Sequence, residues 1–337
     1  MKKSGWLSLS ALVALVLAGC PSSPPAGGTE GTAQGTTTGG GAPAGAKKTV
    51  AVIPKGLTHD FWQSVKRGAE KAGGEFSVNI KWDGPQKEND TAGQIGVVEN
   101  AINQHVDGIV LAPLDKAALV GVIKKANDAK IPVTVFDSAA NVGEDAYVSF
   151  VATDNKKGGE LAAMRMGEIL GGKGKVGLIP NQANSASTED RESGFEETLK
   201  AKFPGITLIK ASYADSDPTK AIRVAEDLLS ANPDIVGVFG SCEPCAVGAL
   251  QAAKNKNLLS KVKVIGFDNT KLMDAALVKG EMDSLVVQNP AKMGYEGVKS
   301  IIDSAGGKKV EKRIDTGCVL LKKDNLDSAD MAEFRAK

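Results

Sequence analysis

The sequence has few of the residues on which catalytic and nucleic-acid-binding sites usually depend. Its 337 residues include two histidines and four cysteines, and only 4% are aromatic. There are 41 basic and 40 acidic residues and no basic run stands out, so the charge pattern of a nucleic-acid-binding protein is missing. Neither His59 nor His105 combines with a serine or cysteine into a plausible hydrolytic triad. We therefore expect that the protein is not an enzyme and that it binds no metal, no cofactor and no nucleic acid.

Long apolar runs are also scarce, and the one that stands out lies near the N-terminus. It extends from Trp6 to Leu17 behind two lysines. A membrane-spanning helix needs about 20 apolar residues, so this shorter run is typical of a signal peptide. It ends in leucine, two small residues and Cys20, which resembles a bacterial lipobox. We predict that residues 1–19 are a signal peptide and that Cys20 is the acylated, palmitate-bearing first residue of an exported lipoprotein.

The next segment, residues 21–46, is almost wholly glycine, proline, serine, threonine and alanine. Such a tract buries too little apolar surface to order itself, so it is typical of a flexible tether. Its mean reach would be roughly 25–30 Å. We expect residues 20–46 to hold the protein on a bacterial membrane, facing the periplasm or the cell exterior.

From residue 47 onward, short Val/Ile-rich runs alternate with longer amphipathic stretches. The predicted strands are residues 49–53, 78–82, 108–111, 133–136, 147–151, 175–179, 207–210, 235–239, 262–267, 284–287 and 319–321. The predicted helices are residues 61–72, 91–104, 117–129, 158–170, 188–202, 219–230, 247–253, 273–278 and 293–304. Several strands are continuously apolar, as in parallel sheets buried on both faces. Because the pattern restarts near residue 175, we predict an α/β fold of two Rossmann-like, doubly wound parallel-sheet lobes.

Polar and aromatic side chains follow these strands, at the sheet edge where ligands of such folds bind. The candidate ligand-binding residues are Lys55, His59, Phe61, Trp62, Asp137, Ser138, Glu189, Arg191, Cys242, Glu243, Asp268 and Gln288. Charged groups, amides and flat aromatics suit a neutral polyhydroxylated ligand, because each hydroxyl both donates and accepts hydrogen bonds. Asp60 is expected to cap a helix rather than touch ligand. An ion pair of Arg191 with Glu189 or Glu192 is the alternative to a ligand contact.

Three cysteines remain after Cys20. In an oxidising compartment Cys242 and Cys245 could form a disulfide, but so short a loop is often strained, and the sequence leaves the question open. We expect no redox activity from this Cys-Glu-Pro-Cys motif, since the sequence does not indicate a thioredoxin-like strand–helix–strand setting. Cys318 is expected to be a small buried residue in a strand.

Eight short motifs in a fixed order carry a family resemblance. They are Phe61-Trp62 with Lys66-x-Gly68-Ala69, Asp107-Gly108-Ile109-Val110-Leu111-Ala112-Pro113, Ile131-Pro132-Val133 leading to Asp137, Thr153-Asp154-Asn155-x-x-Gly158-Gly159, Arg191-x-x-Gly194-Phe195, Gly248-Ala249-Leu250, Val264-Ile265-Gly266-Phe267-Asp268 and Gln288-Asn289-Pro290. Together they resemble the periplasmic sugar-binding proteins of ABC importers, of the ribose/allose-binding type. The match covers nearly everything from residue 47 to about residue 322.

The resemblance implies a type I periplasmic binding protein fold, in which two lobes close on a hinge around a monosaccharide. It places three crossings near residues 153–154, 288–289 and 316–317. The implied N-terminal lobe is residues 47–153 plus 289–316, and the implied C-terminal lobe is residues 154–288 plus 317–337. By position, the residues that match family ligand contacts are Lys55, Trp62, Asp137, Arg191, Asp268 and Gln288, with Phe61 as a stacking aromatic.

Four departures from the ribose-binding pattern bear on the ligand. Ser138 and Glu189 stand where ribose binders carry arginines, and Ser216 stands where an aromatic often covers the sugar. Cys242 replaces the usual asparagine. We therefore expect an aldohexose, a polyol or another small polar metabolite rather than ribose.

The resemblance implies a monomeric, non-enzymatic receptor that delivers its ligand to an ABC importer permease. A sensory receptor that presents the ligand to a chemoreceptor or sensor kinase is the alternative, because its binding site would look the same.

Overall fold

The structure, a computed structural model, describes residues 47–335. The predicted signal peptide, Cys20 and the tether lie outside the described residues. The described chain contains two six-stranded sheets with helices on both faces. None of its helices is long and apolar enough to span a membrane.

The first sheet is entirely parallel and has the order β11-β5-β4-β3-β1-β2. Its strands are β1 (Thr49–Ile53), β2 (Asn79–Trp82), β3 (Gly108–Leu111), β4 (Val133–Phe136), β5 (Phe150–Ala152) and β11 (Arg313–Asp315). Its helices are α1 (Asp60–Glu75), α2 (Thr91–Asn103), α3 (Val120–Asp128) and α9 (Pro290–Ala305). A 3₁₀ turn, Glu144–Ala146, precedes β5.

The second sheet has the order β12-β10-β9-β8-β6-β7, and only β12 runs antiparallel to its neighbour. Its strands are β6 (Lys173–Ile179), β7 (Gly205–Lys210), β8 (Ile235–Gly240), β9 (Lys263–Phe267), β10 (Ser284–Gln288) and β12 (Cys318–Lys322). Its helices are α4 (Asn155–Ile169), α5 (Ala186–Lys202), α6 (Pro218–Ala231), α7 (Glu243–Asn255) and α8 (Lys271–Lys279). A 3₁₀ turn, Ala329–Met331, lies near the C-terminus.

Burial on both faces explains the continuous apolar runs. In β1, Val50 and Val52 pack in the cluster under α1 and α9, whereas Ala51 and Ile53 pack in the cluster under α2 and α3. A strand that is covered on both sides has no solvent-facing positions to fill with polar residues. The predicted fold class of two doubly wound parallel-sheet lobes is confirmed.

The two sheets have the same strand order, so each strand has an equivalent in the other sheet. Thus β1 corresponds to β6, β3 to β8 and β4 to β9. In both sheets the chain reverses its winding direction beside the first strand, and ligands of open α/β sheets bind at the carboxyl ends of strands at such a point.

The largest differences from the sequence prediction concern one strand and one helix. The short strand β11 was not predicted, because its three residues carry no apolar run. Helix α7, predicted from residue 247, begins at Glu243, with Cys242 as its N-cap and Pro244 in its first turn, where proline is favoured. The Cys-Glu-Pro-Cys motif therefore opens the helix of the strand–helix–strand unit β8–α7–β9, which is part of the second doubly wound sheet.

Helices α1 and α9 pack with their backbones in direct contact. A Cβ atom on Gly68 of α1 would lie 1.9 Å from the carbonyl oxygen of Ala291, and one on Gly294 of α9 would lie 2.1 Å from that of Val65. No carbon atom fits at these distances, so glycine is required for the close approach.

We predict that Gly68→Ala lowers the free energy of unfolding by about 1–3 kcal/mol, because the added methyl group forces the two helices apart. Gly96→Ala in α2 is the matched control, since nothing outside its own helix lies within 4 Å of the position that its methyl group would take. That control should stabilise the protein by up to about 1 kcal/mol through helix propensity. Urea denaturation of both variants checks this, and equal midpoints would contradict it.

Candidate functional site

The carboxyl ends of strands from both sheets face one small cavity. The residues that line it are Lys55, His59, Phe61, Trp62, Glu88, Asp137, Asn181, Ser187, Thr188, Arg191, Cys242, Glu243, Pro244, Asp268 and Gln288. Ten of the twelve predicted ligand-binding residues are among them; Ser138 and Glu189 are not. The cavity has a volume of about 30 Å³, room for about two water molecules, because the charged side chains bond one another across it.

Two aspartates occupy equivalent positions on opposite sides of the cavity. Asp137 directly follows β4, and Asp268 directly follows β9. Both adopt left-handed backbone conformations, with φ of 60° and 65°, which aspartate tolerates better than most residues. Each backbone N–H donates to the neighbouring strand, to Val151 O at 3.0 Å and Val286 O at 2.8 Å. Each sheet therefore ends in a sharp turn that places one carboxylate at the cavity.

Lys55 supplies the cation for Asp137 and also joins the two halves of the cleft. Its Nζ lies 3.0 Å from Asp137 Oδ2, and both side chains are almost fully buried. The same Nζ donates to Ser185 Oγ at 3.2 Å and to Ser187 Oγ at 2.9 Å, at the start of α5 beside the second sheet. The ammonium group thus bridges the first sheet and the second.

Arg191 supplies the cation near Asp268. Its Nη1 lies 3.8 Å from Asp268 Oδ2, and its guanidinium stacks 3.9 Å above the centre of the Phe267 ring. Its Nε donates to Asn155 Oδ1 at 2.8 Å, and its Nη1 donates to Ser241 O at 3.1 Å. These bonds fix the guanidinium in place, as a bidentate donor to a ligand requires. The alternative of an ion pair with Glu189 or Glu192 is not what the structure shows.

Gln288 adds an unused acceptor to the cavity. Its Nε2 donates to Asp268 Oδ1 at 2.7 Å, whereas its Oε1 has no hydrogen-bond partner among residues 47–335. The residue is only 1% exposed. A buried carbonyl oxygen without a donor is unfavourable, so this atom favours a ligand that brings an O–H or N–H. Burial raises the pKa of Asp268, although Arg191 and Gln288 oppose the rise.

Sequence reasoning missed Glu88, which anchors the aromatic side of the cavity. Its Oε1 lies 2.6 Å from His59 Nδ1 and also accepts from Trp62 Nε1, and its Oε2 accepts from Ser216 Oγ at 3.4 Å. Burial opposes both charges, but the mutual attraction prevails and moves the pKa of His59 to about 9 and that of Glu88 to about 2. The imidazolium and the carboxylate therefore coexist at neutral pH. Glu88 lies in a polar loop before α2 that resembles an ordinary surface loop in sequence.

Phe61 and Trp62 form the apolar side of the cavity. Their rings meet edge to face, with centroids 4.8 Å apart, and Trp62 meets Phe136 in the same way at 6.1 Å. Trp62 is almost fully buried, whereas Phe61 is half-buried, with Pro244 across the cavity. Such rings offer an apolar surface to the C–H groups of a ligand.

Glu243 connects the second sheet to the first helix of the first sheet. Its carboxylate accepts hydrogen bonds from the N–H groups of Asp60, at 3.2 Å, and Phe61, at 3.0 Å, at the N-terminus of α1. Asp60 was expected to cap this helix, but the N-cap residue is His59 and the capping oxygens come from Glu243. Burial raises the pKa of Glu243 to about 7, against the opposing effect of His59.

Ser138 and Glu189 lie outside the cavity but also connect its two sides. Ser138 Oγ accepts from the backbone N–H of Ser187 at 3.2 Å. Glu189 forms an ion pair with Lys116 and accepts from the N–H of Asn184 at 2.9 Å. Both residues therefore join opposing lobes beside the cavity instead of lining it.

The cysteines of the described chain are free thiols. Cys242 and Cys245 are buried, with their sulphur atoms 3.2 Å apart, so the disulfide left open by the sequence is not formed here. Cys318 lies in β12 as expected, but half-buried.

A larger outer cavity of about 500 Å³ adjoins the first one and shares Phe61, Asp268 and Gln288 with it. Its walls are α1, α9 and residues 333–335. The strand-end charges nevertheless converge on the inner cavity, which is therefore the candidate ligand site.

The charges around the inner cavity nearly cancel. The cations are Lys55, Arg191 and His59, and the carboxylates are Glu88, Asp137, Asp268 and Glu243, of which Glu243 is partly protonated at neutral pH. In residues 47–335, no cluster of three or more metal-binding side chains is arranged to hold a metal ion. The arrangement suits a neutral ligand rich in hydroxyl groups.

Comparisons with known proteins agree with this geometry. Residues 50–309 match the family model described as a periplasmic binding protein domain. The ribose import binding protein RbsB of Bacillus subtilis is 32% identical over 266 residues, covering 79% of this chain and 84% of that protein. A solute-binding protein of Agrobacterium vitis with bound D-fucose is 38% identical, with a TM-score of 0.83 over 85% of this chain and 99% of that chain.

A carbohydrate transporter solute-binding protein of Agrobacterium radiobacter in complex with D-arabinose is 36% identical, with a TM-score of 0.82 over 86% of this chain and 99% of that chain. Proteins of this kind act outside the cytoplasm and are non-enzymatic transport components, which confirms the expectation of a binder rather than an enzyme. The chain belongs to the periplasmic binding protein family.

Proposed function

We propose that this protein is a lipid-anchored receptor that captures a monosaccharide or a related polyol between its lobes and delivers it to an ABC importer. The observation that carries the proposal is the pair of equivalent aspartates, Asp137 and Asp268, that face one nearly neutral cavity. Each has its own cation, Lys55 or Arg191. Carboxylates held in this way accept strong hydrogen bonds from neutral hydroxyl groups.

When the ligand enters, hydrogen bonds between protein groups in the cavity are replaced by hydrogen bonds to the ligand. The ammonium of Lys55 would donate a hydrogen bond to a sugar hydroxyl, and the carboxylates of Asp137 and Asp268 would accept hydrogen bonds from others. A further hydroxyl would donate to Gln288 Oε1. Since these groups are buried and already fixed in position, they lose little conformational freedom on binding. The ring C–H groups of the sugar would pack on Phe61.

We propose a hexose-sized sugar in preference to ribose. The resemblance implies that ribose binders carry arginines at the positions of Ser138 and Glu189, and an aromatic at Ser216. Here Ser216 instead donates to Glu88, and Glu189 pairs with Lys116. The solved relatives with D-fucose and D-arabinose support a sugar without deciding which one.

Closure of the lobes couples binding to delivery. The contacts between the two sides, made by Lys55, Glu243 and Glu189, exist only when the lobes are together. A ligand that touches both sides stabilises this closed form by its differential affinity for it. We propose that the monomer presents this closed form to the permease.

We predict micromolar or tighter binding of at least one hexose, 6-deoxyhexose or pentose in isothermal titration, and weaker binding of ribose. Asp268→Asn should weaken that binding about 10- to 150-fold, as expected for a lost charged hydrogen-bond acceptor. Asp234→Asn, which removes a carboxylate before β8 at the opposite end of the sheet, is the matched control and should leave the affinity unchanged. Failure of every sugar and polyol to bind the wild type would refute the proposal.

We predict that sugar affinity falls roughly 10- to 60-fold as the pH rises from 5 to 7.5. In the closed form burial raises the pKa of Glu243 to about 7, whereas in the open form its carboxylate returns towards 4.5. The closed form therefore binds a proton between these values, and closure weakens as that proton is lost. His59 and Asp268 face the same carboxyl group, so both act on its pKa throughout this pH range.

Glu243→Gln keeps a carbonyl oxygen for the N–H groups of α1 but does not titrate. Its affinity, measured by titration calorimetry at the same two pH values, should change less than twofold. A wild-type slope that persists in this variant would show that another group causes it.

We predict that Cys20 anchors the protein. Expressed in a bacterium, the wild type should sediment with membranes, while Cys20→Ser should appear in the soluble extracytoplasmic fraction. Cys318→Ala is the control and should behave as the wild type. Mass spectrometry of the wild-type N-terminal peptide should detect acyl chains, and an unmodified Cys20 on a membrane-bound protein would contradict this prediction.

A further inference from the structure

The two cysteines of the Cys-Glu-Pro-Cys motif lie in the wall of the ligand cavity. Cys242 is the N-cap of α7 and lines the cavity, and Cys245 lies in the first turn directly behind it. The S–H of Cys242 contacts Cys245 Sγ at 3.2 Å. A disulfide needs about 2.05 Å between the sulphur atoms, so they must approach by only about 1.2 Å.

The setting is that of a dithiol site, although the protein is a binder. The motif follows the carboxyl end of a parallel strand, β8, and opens the helix of a strand–helix–strand unit. Cys318 in β12 belongs to the other side of that sheet and is not part of the pair.

We propose that Cys242 and Cys245 are a reversible dithiol–disulfide site, oxidised by a small disulfide-containing compound when the lobes open, and that the oxidised form holds the lobes together less firmly. Its effect on ligand affinity rests on the proposed function; the disulfide itself does not.

The chemistry is a thiol–disulfide exchange in two steps. Cys242, 7% exposed against 0% for Cys245, attacks one sulphur of the oxidant as a thiolate and expels a thiol. Cys245 then attacks the Cys242 sulphur and expels the second thiol. One S–S bond in the oxidant and two protein S–H bonds break, while one protein S–S bond and two S–H bonds form. The two electrons reduce the oxidant.

Burial sets when this exchange occurs. It raises the pKa of the Cys242 thiol well above its ordinary value, and the adjacent Cys245 adds to the rise. Few thiolates form while the lobes are closed, and the oxidant has no access, so exchange belongs to the open form. A sugar that closes the lobes therefore slows oxidation of the thiols. Because the oxidised form closes less readily, it also binds that sugar more weakly.

Glu243 transmits the change, because it directly follows Cys242. Its two hydrogen bonds to α1, at 3.0 and 3.2 Å, are contacts across the cleft made by the residue next to Cys242. A displacement of about 0.5 Å or more in the first turn of α7 lengthens them beyond hydrogen-bonding range. Its own N–H bond to Asp268 Oδ2, 3.1 Å long, is strained by the same movement.

The test begins with the full chain, reduced and then incubated with oxidised glutathione, with or without D-fucose or D-arabinose. After alkylation and trypsin digestion, both cysteines lie in the peptide of residues 224–254. We expect this peptide to be two hydrogen atoms lighter and unalkylated, and a reductant to reverse this. A sugar that binds should slow the oxidation at least threefold. Cys245→Ala should form no internal disulfide, and Cys318→Ala should behave as the wild type.

The second measurement is amide hydrogen exchange at Asp60 and Phe61, which needs no sugar. Their exchange rates should rise at least threefold in the oxidised protein, and affinity for the bound sugar should fall about three- to tenfold, the size of one hydrogen bond. Alkylated thiols only, or a glutathione adduct without the internal disulfide, would overturn the proposal, as would an oxidised form with unchanged exchange at these amides. If no sugar binds the reduced protein, the proposed function fails while the peptide mass and the exchange rates still decide this proposal.

Discussion

The pairing of buried charges is the constraint on which the site depends. Asp137 and Asp268, which directly follow parallel strands, are buried carboxylates, and an unpaired buried charge is costly. Lys55 and Arg191 balance them, and His59 balances Glu88. A cavity built in this way has strong hydrogen-bonding groups but little net charge. That combination favours polar, uncharged molecules and disfavours ions of either sign.

The same constraint explains how the two lobes recognise each other. The ammonium of Lys55 needs the hydroxyl groups of Ser185 and Ser187, and the N-terminus of α1 is capped by Glu243. Each lobe therefore completes hydrogen bonds that the other leaves unfinished. Closure brings together polar groups as well as apolar surface. The stability of the closed form therefore depends on the protonation and position of these polar groups.

Much of the fold follows from the sequence, since continuous apolar runs at regular spacing require a doubly covered parallel sheet. Strands β1, β3 and β4 begin and end where the sequence predicts. The short β11 has no such run; it pairs with β5, and Ile314 packs against the core. In the site, residues directly after strands were predictable because the sheet edge fixes their place. Glu88 was not, since its loop is brought to the cavity by tertiary contacts with His59 and Trp62. Ser138 comes one residue after a strand-end aspartate and Glu189 lies in the helix after β6, yet neither lines the cavity.

The matching strand orders of the two sheets bear on how the ligand specificity of such a receptor can change in evolution. Asp137 and Asp268 are structural counterparts, each rooted in its own hydrophobic core. Substitutions behind one of them leave the framework of the other untouched. The ligand contacts of one lobe can therefore change in evolution while the other lobe keeps its contacts with the unchanged part of the ligand. Each lobe thus contributes its own share of the ligand specificity, and the two shares can change independently.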